Sequence, residues 1–363
     1  MGWIDRIMDS RSFKNEVKKA EREVVAPVIR VIGVGGAGVK MAGGIYESNI
    51  PGIEMVVCDT DSSELEKSPV PTKLLIGSDI THGQNTGGDV KLGRQCAEES
   101  EDAIAGLFGD SPDIVVIVAG MGKGTGTGAS PVIARIAKEC GKLTLGFLTV
   151  PFLFEGQFKI MQALDGVEET SEFVDSMIRI NNDFLISENE SINIFETIGP
   201  VVEIWVNILR NLLDLVSSNS GISMMDLKYA LRNSGTFFVA TGYGKGERCF
   251  EEAIIEIKKT FEKYGRPYDV FISNRLIVKI TCSKNSDVAS ANNIAEKLSY
   301  FTIKFGANCD IKIDFENDPE MDDIKISFLC SGPGLIAYSE SDIEDIRQEL
   351  DMILRDECPE DYQ

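Results

Sequence analysis

From Val28 to Val150 short apolar runs alternate with stretches in which apolar residues recur every three or four positions. The runs Val28–Ile32, Met55–Cys58, Asp113–Ala119 and Leu143–Val150 are nearly all apolar, as expected of strands covered by helices on both sheet faces. Such alternation predicts a doubly wound α/β domain with a parallel sheet. The pattern changes at Val201–Val216, where Val201, Val202, Ile204, Trp205, Ile208, Leu209, Leu212, Leu213 and Leu215 leave little polar face. A helix this apolar is expected to be buried and to form a spine between two domains.

A turn-like stretch, Ser217–Gly221, leads into a second mixed unit. Strands are expected near Phe237–Thr241, Leu276–Thr281, Cys309–Phe315 and Ile324–Cys330, and helices near Phe250–Tyr264 and Ser286–Phe301. Gly332-Pro333-Gly334 punctuates the chain after them. At the N-terminus Trp3, Ile4, Ile7 and Met8 have helical spacing, which reads as a helix packed on its own domain or, alternatively, as a partner or membrane contact. At the other end Ser339–Gln363 carries ten acidic and two basic residues, yet keeps Ile343, Ile346, Leu350, Ile353 and Leu354 in helical register. The expected organisation is therefore an N-terminal helical extension (1–27), a first α/β domain (28–200), a connecting core helix (201–217), a second α/β domain (218–338) and an acidic helix or tail (339–363).

Composition narrows the functional classes. The 363 residues suit two or three domains, and 43% hydrophobic with 26% charged content is ordinary for a globular protein. Acidic residues outnumber basic ones 58 to 36, a net charge of −22, which disfavours a nucleic-acid binder. The longest charge-free apolar stretch, Leu143–Phe154, contains Pro151 and falls short of the roughly 18 residues of a membrane span. Charges from Asp5 onward argue against a secretory signal, and Arg6 stands where a myristoylation motif needs Ser or Thr. The eight cysteines show no CxxC pairing and His82 is the sole histidine, so reduced thiols of a cytoplasmic protein are expected, and no metal site.

Two glycine loops carry the chemistry. The first strand runs into Gly33-Val34-Gly35-Gly36-Ala37-Gly38, a G-x-G-x-x-G turn, and the next strand ends at Asp59. Alone, this reads as a dinucleotide fingerprint: glycines admit backbone N–H groups to a phosphate at a helix N-terminus. The third strand delivers Gly120-Met121-Gly122-Lys123-Gly124-Thr125-Gly126-Thr127-Gly128, expected to be a loop before a helix at Ala129–Cys140. It is not a Walker A loop, because Gly follows Lys123. Two phosphate-cradling loops on one sheet exceed what a dinucleotide needs and suit a nucleoside di- or triphosphate. An NAD-dependent oxidoreductase would leave the second loop unexplained and has no persuasive catalytic set.

On these residues the chain resembles the tubulin/FtsZ family, its FtsZ branch more than eukaryotic tubulin. Ala119–Gly128 is similar to the family signature GGGTGTG, with Lys123 in place of one glycine. Gly33–Gly38, contributing Gly35, Gly36, Ala37 and then Lys40, resembles the first loop, and Asp59-Thr60-Asp61 the second. Gly83–Gly88, with Gly87 and Gly88, resembles the loop that faces the γ-phosphate. Pro151–Gly156, with Glu155 and then Lys159, resembles the ribose segment, and Asn181-Asn182-Asp183 the base-binding turn. Phe195 stands where the family stacks an aromatic ring on guanine. The likeness runs from about Val28 to Leu335. It implies a tubulin-like fold, GTP or GDP as ligand, and head-to-tail assembly into cytoplasmic filaments of this chain or with another FtsZ. Prokaryotic cell division is the implied setting, with the acidic C-terminal segment as a surface for a division-protein partner. In the family, acidic residues of the next subunit complete hydrolysis.

The departures bear on that last step. The catalytic loop reads Gly221-Ile-Ser-Met-Met-Asp-Leu-Lys-Tyr229: Asp226 is kept, while Met224 and Tyr229 replace the family's Asn and second Asp. A phenol is neutral at pH 7 and is a poor general base, so slow or absent hydrolysis is expected. The alternative is that Tyr229 packs on Leu231 and Phe237 while another carboxylate serves. Gly199-Pro200 also replaces the acceptor for guanine N1 and N2, which weakens base selectivity. Lys40 and Lys123 bring two ammonium groups near the phosphates, where they either stand in for Mg²⁺ or point to solvent. A non-polymerising pseudo-GTPase that caps another FtsZ filament is the competing reading.

Overall fold

A computed structural model describes residues 28–187, 198–217, 220–262, 273–283, 297–298, 308–321 and 324–332. The helix expected within residues 1–27, most of that expected at Ser286–Phe301, Pro333-Gly334, Phe195 and the acidic segment lie outside these residues.

Ten strands form one sheet: β1 (Ile29–Val34), β2 (Ile53–Asp59), β3 (Thr72–Leu75), β4 (Ile114–Gly120), β5 (Leu143–Val150), β6 (Ser176–Asn181), β7 (Gly235–Gly244), β8 (Arg275–Cys282), β9 (Asp310–Asn317) and β10 (Ile324–Gly332). Their order is β3-β2-β1-β4-β5-β6-β7-β10-β8-β9. Only β10 runs antiparallel to its neighbours. The β6–β7 junction is narrow, since only Ser176 with Gly235 and Met177 with Thr236 pair across it. The helices are α1 (Gly35–Glu47), α2 (Ser62–Lys67), α3 (Ser78–Thr81), α4 (Val90–Glu99), α5 (Glu101–Ala105), α6 (Gly124–Glu139), α7 (Gln157–Ser171), α8 (Asn182–Ser187), α9 (Ile198–Leu215), α10 (Met224–Leu231) and α11 (Cys249–Glu262).

The apolar runs do bury both faces. Val116, Val118, Leu145 and Phe147 face one core, which holds α9 and extends to β7, β8 and β10; Val115, Ile117 and Leu148 face the other, under α4, α6 and α7. Trp205 of α9 is fully buried and stacks on Phe147 with ring centroids 4.6 Å apart. The expected spine helix is thus a core helix, starting slightly before its apolar run.

Two strands have no counterpart in the sequence expectations. The strand β3 is short and half exposed, and β6 alternates Ser-Met-Ile-Arg-Ile-Asn rather than forming an apolar run. One expectation is corrected. Gly124–Gly128 is not loop but the first turns of α6, which begins five residues before Ala129. Glycine weakens a helix in isolation, but here it lets two helices touch backbone to backbone. A methyl on Gly128 would lie 2.1 Å from the Val90 carbonyl oxygen of α4, and one on Gly124 2.6 Å from that of Asp89. Among the described residues no helix is long and apolar enough to cross a membrane, and seven cysteines are free thiols, five of them buried.

Candidate functional site

Parallel strands β1, β4, β5 and β6 all end at the same pole, and the predicted ligand residues collect there. The turn out of β1 is made at Gly35, whose φ of +70° favours glycine. A methyl on Gly35 would sit 2.6 Å from the Gly126 nitrogen, so the two glycine segments are pressed together. Ala37 and Gly120 extend that contact. Gly36 is different: its open side reaches Asp59 Oδ2 at 3.9 Å and Glu64 Oε2 at 4.0 Å, leaving room for a ligand's approach.

The chemistry of this pole lies in its helix ends. Neither α1, preceded by Val34, nor α6, preceded by Lys123, has a side-chain N-cap or an acidic residue in its first turn. By contrast α2, α4 and α10 are capped by Asp61, Asp89 and Ser223. Uncapped N-termini leave backbone N–H groups and a positive end potential for an anion. A third helix of this kind, α7, starts at the same pole after Gly156. The residues therefore fit a phosphorylated ligand held by main-chain donors.

Side chains brace this cradle. The Gly122 N–H donates to Thr127 Oγ1 at 2.8 Å, and the Met121 N–H to the Thr149 carbonyl at 2.9 Å, while the Met121 side chain enters the core. Thr125 and Thr60 share a hydroxyl hydrogen bond of 3.0 Å in a buried position. Asp59, 2% exposed, accepts from the Thr60 N–H at 2.7 Å. Burial pushes its carboxyl above the ordinary range, against the opposing pull of the Thr60 and Asp61 N–H groups. Thr60 belongs to the second loop read from the sequence, whereas Glu64 is absent from the sequence-based site. The helix signature Asp61-Ser-Ser-Glu64 is the signal that places Glu64 about one turn beyond the N-cap Asp61.

The remaining candidates are more peripheral. Lys40 is exposed and lies 3.6 Å from Glu64, whose carboxyl is held low chiefly by Lys67 at 2.8 Å. Lys123 is exposed at the start of α6. Gly87 and Gly88 form an exposed left-handed turn, closed by Asn85 and by Gln162, which donates to the Gly88 carbonyl at 3.1 Å. Glu155 and Lys159 pair with each other, and Glu155 also accepts from the Phe152 N–H at 3.1 Å. Asn182 opens α8 beside Asp183, which accepts from the Leu153 N–H at 3.1 Å; burial, with Glu155 nearby, raises the Asp183 carboxyl.

Asp226 is not at this pole. It sits in α10, whose Lys228 lies 3.5 Å from Asp113 at the start of β4, whereas the glycine signature begins at that strand's end. Seven strand residues put the two about 20 Å apart. Ser223 and Asp226 form a reciprocal capping box, and Lys312 Nζ is 2.6 Å from Asp226 Oδ2. Burial would raise the Asp226 carboxyl, but hydrogen bonds from Lys312 and Ser223 prevail and hold it below the ordinary range. Tyr229 is 58% exposed, with the Arg275 guanidinium 4.8 Å above its ring.

Known proteins match this architecture. Residues 28–190 match the family described as Tubulin/FtsZ family, GTPase domain. The Cell division protein FtsZ of Porphyromonas gingivalis is 32% identical over 318 residues, spanning 86% of this chain and 69% of that protein. Cell division protein FtsZ of Buchnera aphidicola subsp. Schizaphis graminum is 31% identical over 86% of this chain and 81% of its own length. Among solved structures, an empty FtsZ dimer of M. jannaschii superposes with a TM-score of 0.71, at 24% identity, covering 89% of this chain and 92% of that one. CetZ2 from Haloferax volcanii, a GTPγS-bound protofilament, gives 0.70 at 19% identity, over 90% and 99% of the two chains. The protein belongs to the tubulin/FtsZ family.

Proposed function

We propose that the chain binds guanine nucleotide at the glycine pole and assembles head to tail into cytoplasmic filaments in prokaryotic cell division or a related cytoskeletal task, with slow or absent hydrolysis. The observation that carries this reading is the pair of uncapped helix N-termini, α1 and α6, joined at the Gly35–Gly126 contact. One chain cannot bring its own Asp226 to its own cradle across the length of β4, so any catalytic role for that residue is exercised on a neighbour. The Asp226 carboxylate is already bound by Lys312 and Ser223, and Tyr229 offers no second charge, which supports low turnover.

The same α10 pole supports a second reading, in which the chain caps filaments of a catalytically intact FtsZ instead of forming its own. The acidic segment 339–363 is the proposed surface for a further division-protein partner. Sedimentation and electron microscopy of the full chain with GTP, GDP or no nucleotide, with phosphate release followed in parallel and EDTA added to test for Mg²⁺, separate the readings. Filaments of the chain alone support the first, and sedimentation only with an intact FtsZ supports the second. Failure to bind any guanine nucleotide overturns both.

A further inference from the structure

A cleft of about 490 Å³ opens beside the glycine cradle, walled by α1, α2 and the start of α9. It is continuous with the cradle, because Glu64, which faces Gly36, also lines the cleft. Lys40, Gly43, Gly44 and Glu47 lie along one stripe of α1. The two glycines bring the opposite walls close: a methyl on Gly43 would meet Pro69 at 3.2 Å, and one on Gly44 would meet Val202 at 2.9 Å. Val39, Ile198 and Val202 supply apolar surface for the faces of a flat ring.

The cleft needs a group that reads the ring's edge, and Gly199 on the α9 wall has no side chain to do so. Glu64 is engaged by Lys67 at 2.8 Å and by Lys40 at 3.6 Å. Glu47 is the lining carboxylate with no hydrogen-bond or ion-pair partner among the described residues. It follows Gly35 by twelve residues, about 18 Å along the axis, and its side chain leans back toward the N-terminus and hence toward the cradle.

We propose that Glu47 is the specificity-determining residue for the base, its carboxylate accepting from N1–H and the 2-amino group of guanine. This rests on the guanine-nucleotide reading above. The same edge of adenine presents an acceptor at N1 and no 2-amino group, so a carboxylate there selects against it.

Calorimetric titration of the full chain with GTP, ITP, XTP and ATP tests the assignment, with thermal midpoints measured alongside. Glu47→Gln is expected to weaken GTP about 10- to 100-fold and to strengthen XTP by a comparable factor. A carboxamide accepts from N1–H and donates to the 2-oxo group of xanthine, a gain that damage to the fold cannot produce. Unchanged GTP and XTP binding by Glu47→Gln, with wild type preferring GTP, overturns the role of Glu47 and leaves the guanine reading intact. The exchange of GTP for XTP in Glu64→Gln instead also overturns it. Wild type binding none of the four nucleotides overturns the guanine reading itself, and the assignment with it.

Discussion

Gly35 and Gly126 meet so closely that a methyl on the first would lie 2.6 Å from the backbone nitrogen of the second. Strands β1 and β4 thereby deliver two helix N-termini to one point. Crowding and ligand access separate into different glycines. Gly126→Ala puts a methyl 2.5 Å from the Gly120 carbonyl oxygen and is expected to cost about 1–3 kcal/mol, seen as a thermal midpoint several degrees lower. Gly36→Ala meets nothing nearer than 3.9 Å, so its midpoint stays level or rises while nucleotide affinity falls, because the methyl occupies the approach to the cradle. Equal binding by wild type and Gly36→Ala would remove the cradle from the site.

How much of this was legible depends on whether the signal was local. Leu143–Val150 begins and ends as a strand where its apolar run does. The glycines of both loops were readable because backbone approach needs them, but their role in packing α6 against α4 was not. That contact depends on Val90 and Gly93, more than thirty residues earlier in the chain. The strand β6 was missed because Ser176 is buried and Arg179 and Asn181 are half-buried polar residues, so its pattern lacks a continuous apolar run. For Asp226 the sequence pointed to a carboxylate in a loop. The capping partner Ser223 lies within the same turn, but Lys312 comes from β9, and no local pattern announces it.

The Asp226 pairing makes a prediction about pH. Its carboxyl is held below the ordinary Asp value, so its contribution is present above about pH 4 and is lost as pH falls through the lowered folded value. Asp226→Asn is expected to cost about 1 kcal/mol at pH 7. The gap to wild type should narrow in urea titrations repeated below about pH 4. A gap that is constant from neutral pH down to about pH 3 would show that the charge contributes nothing.

Asp59 has the opposite sign. Its carboxyl is raised by burial, so the ionised form is a burden at neutral pH that protonation relieves. An asparagine side chain at this position keeps an oxygen to accept the Thr60 N–H. Asp59→Asn should therefore raise the thermal midpoint at pH 7, and the advantage should shrink as pH falls through the raised folded value. A lower midpoint at pH 7 would mean that the charge itself is needed by its neighbours.

Tyr229 and Arg275 bear on turnover. The guanidinium stacked on the ring also donates to the Arg232 carbonyl at 3.0 Å and so closes the end of α10. A carboxylate placed at 229 would meet that guanidinium before any water. Tyr229→Asp alone is accordingly expected to leave phosphate release near the wild-type rate. Combined with Arg275→Gln it should raise release from assembled protein about 100-fold or more, the scale of one acid–base group. A full rise in the single variant would show that Arg275 does not mask the site.

The far end of α9 offers a test independent of nucleotide. Lys279 of β8 is fully buried, donating to the Asp214 carbonyl at 2.7 Å and Ser217 Oγ at 2.9 Å, with Glu316 Oε2 of β9 at 2.9 Å. Asp214 in turn binds Lys325 at 2.7 Å and Ser327 at 3.0 Å on β10. Charges taken out of water at such cost hold only while their charged partners are present, and Lys279→Met leaves the Glu316 carboxylate with the Thr281 hydroxyl but no cation. Its cost should be about 3–5 kcal/mol, read as a shift in the urea midpoint. Removing both charges, Lys279→Met with Glu316→Leu, should recover a large part of that loss, because the penalty lies in the unpaired ion rather than in the missing bond. If the double variant is as unstable as the sum of the singles, the two groups act separately, and the link from α9 to β9 runs through the Ser220 and Gly221 contacts with Asp314 instead.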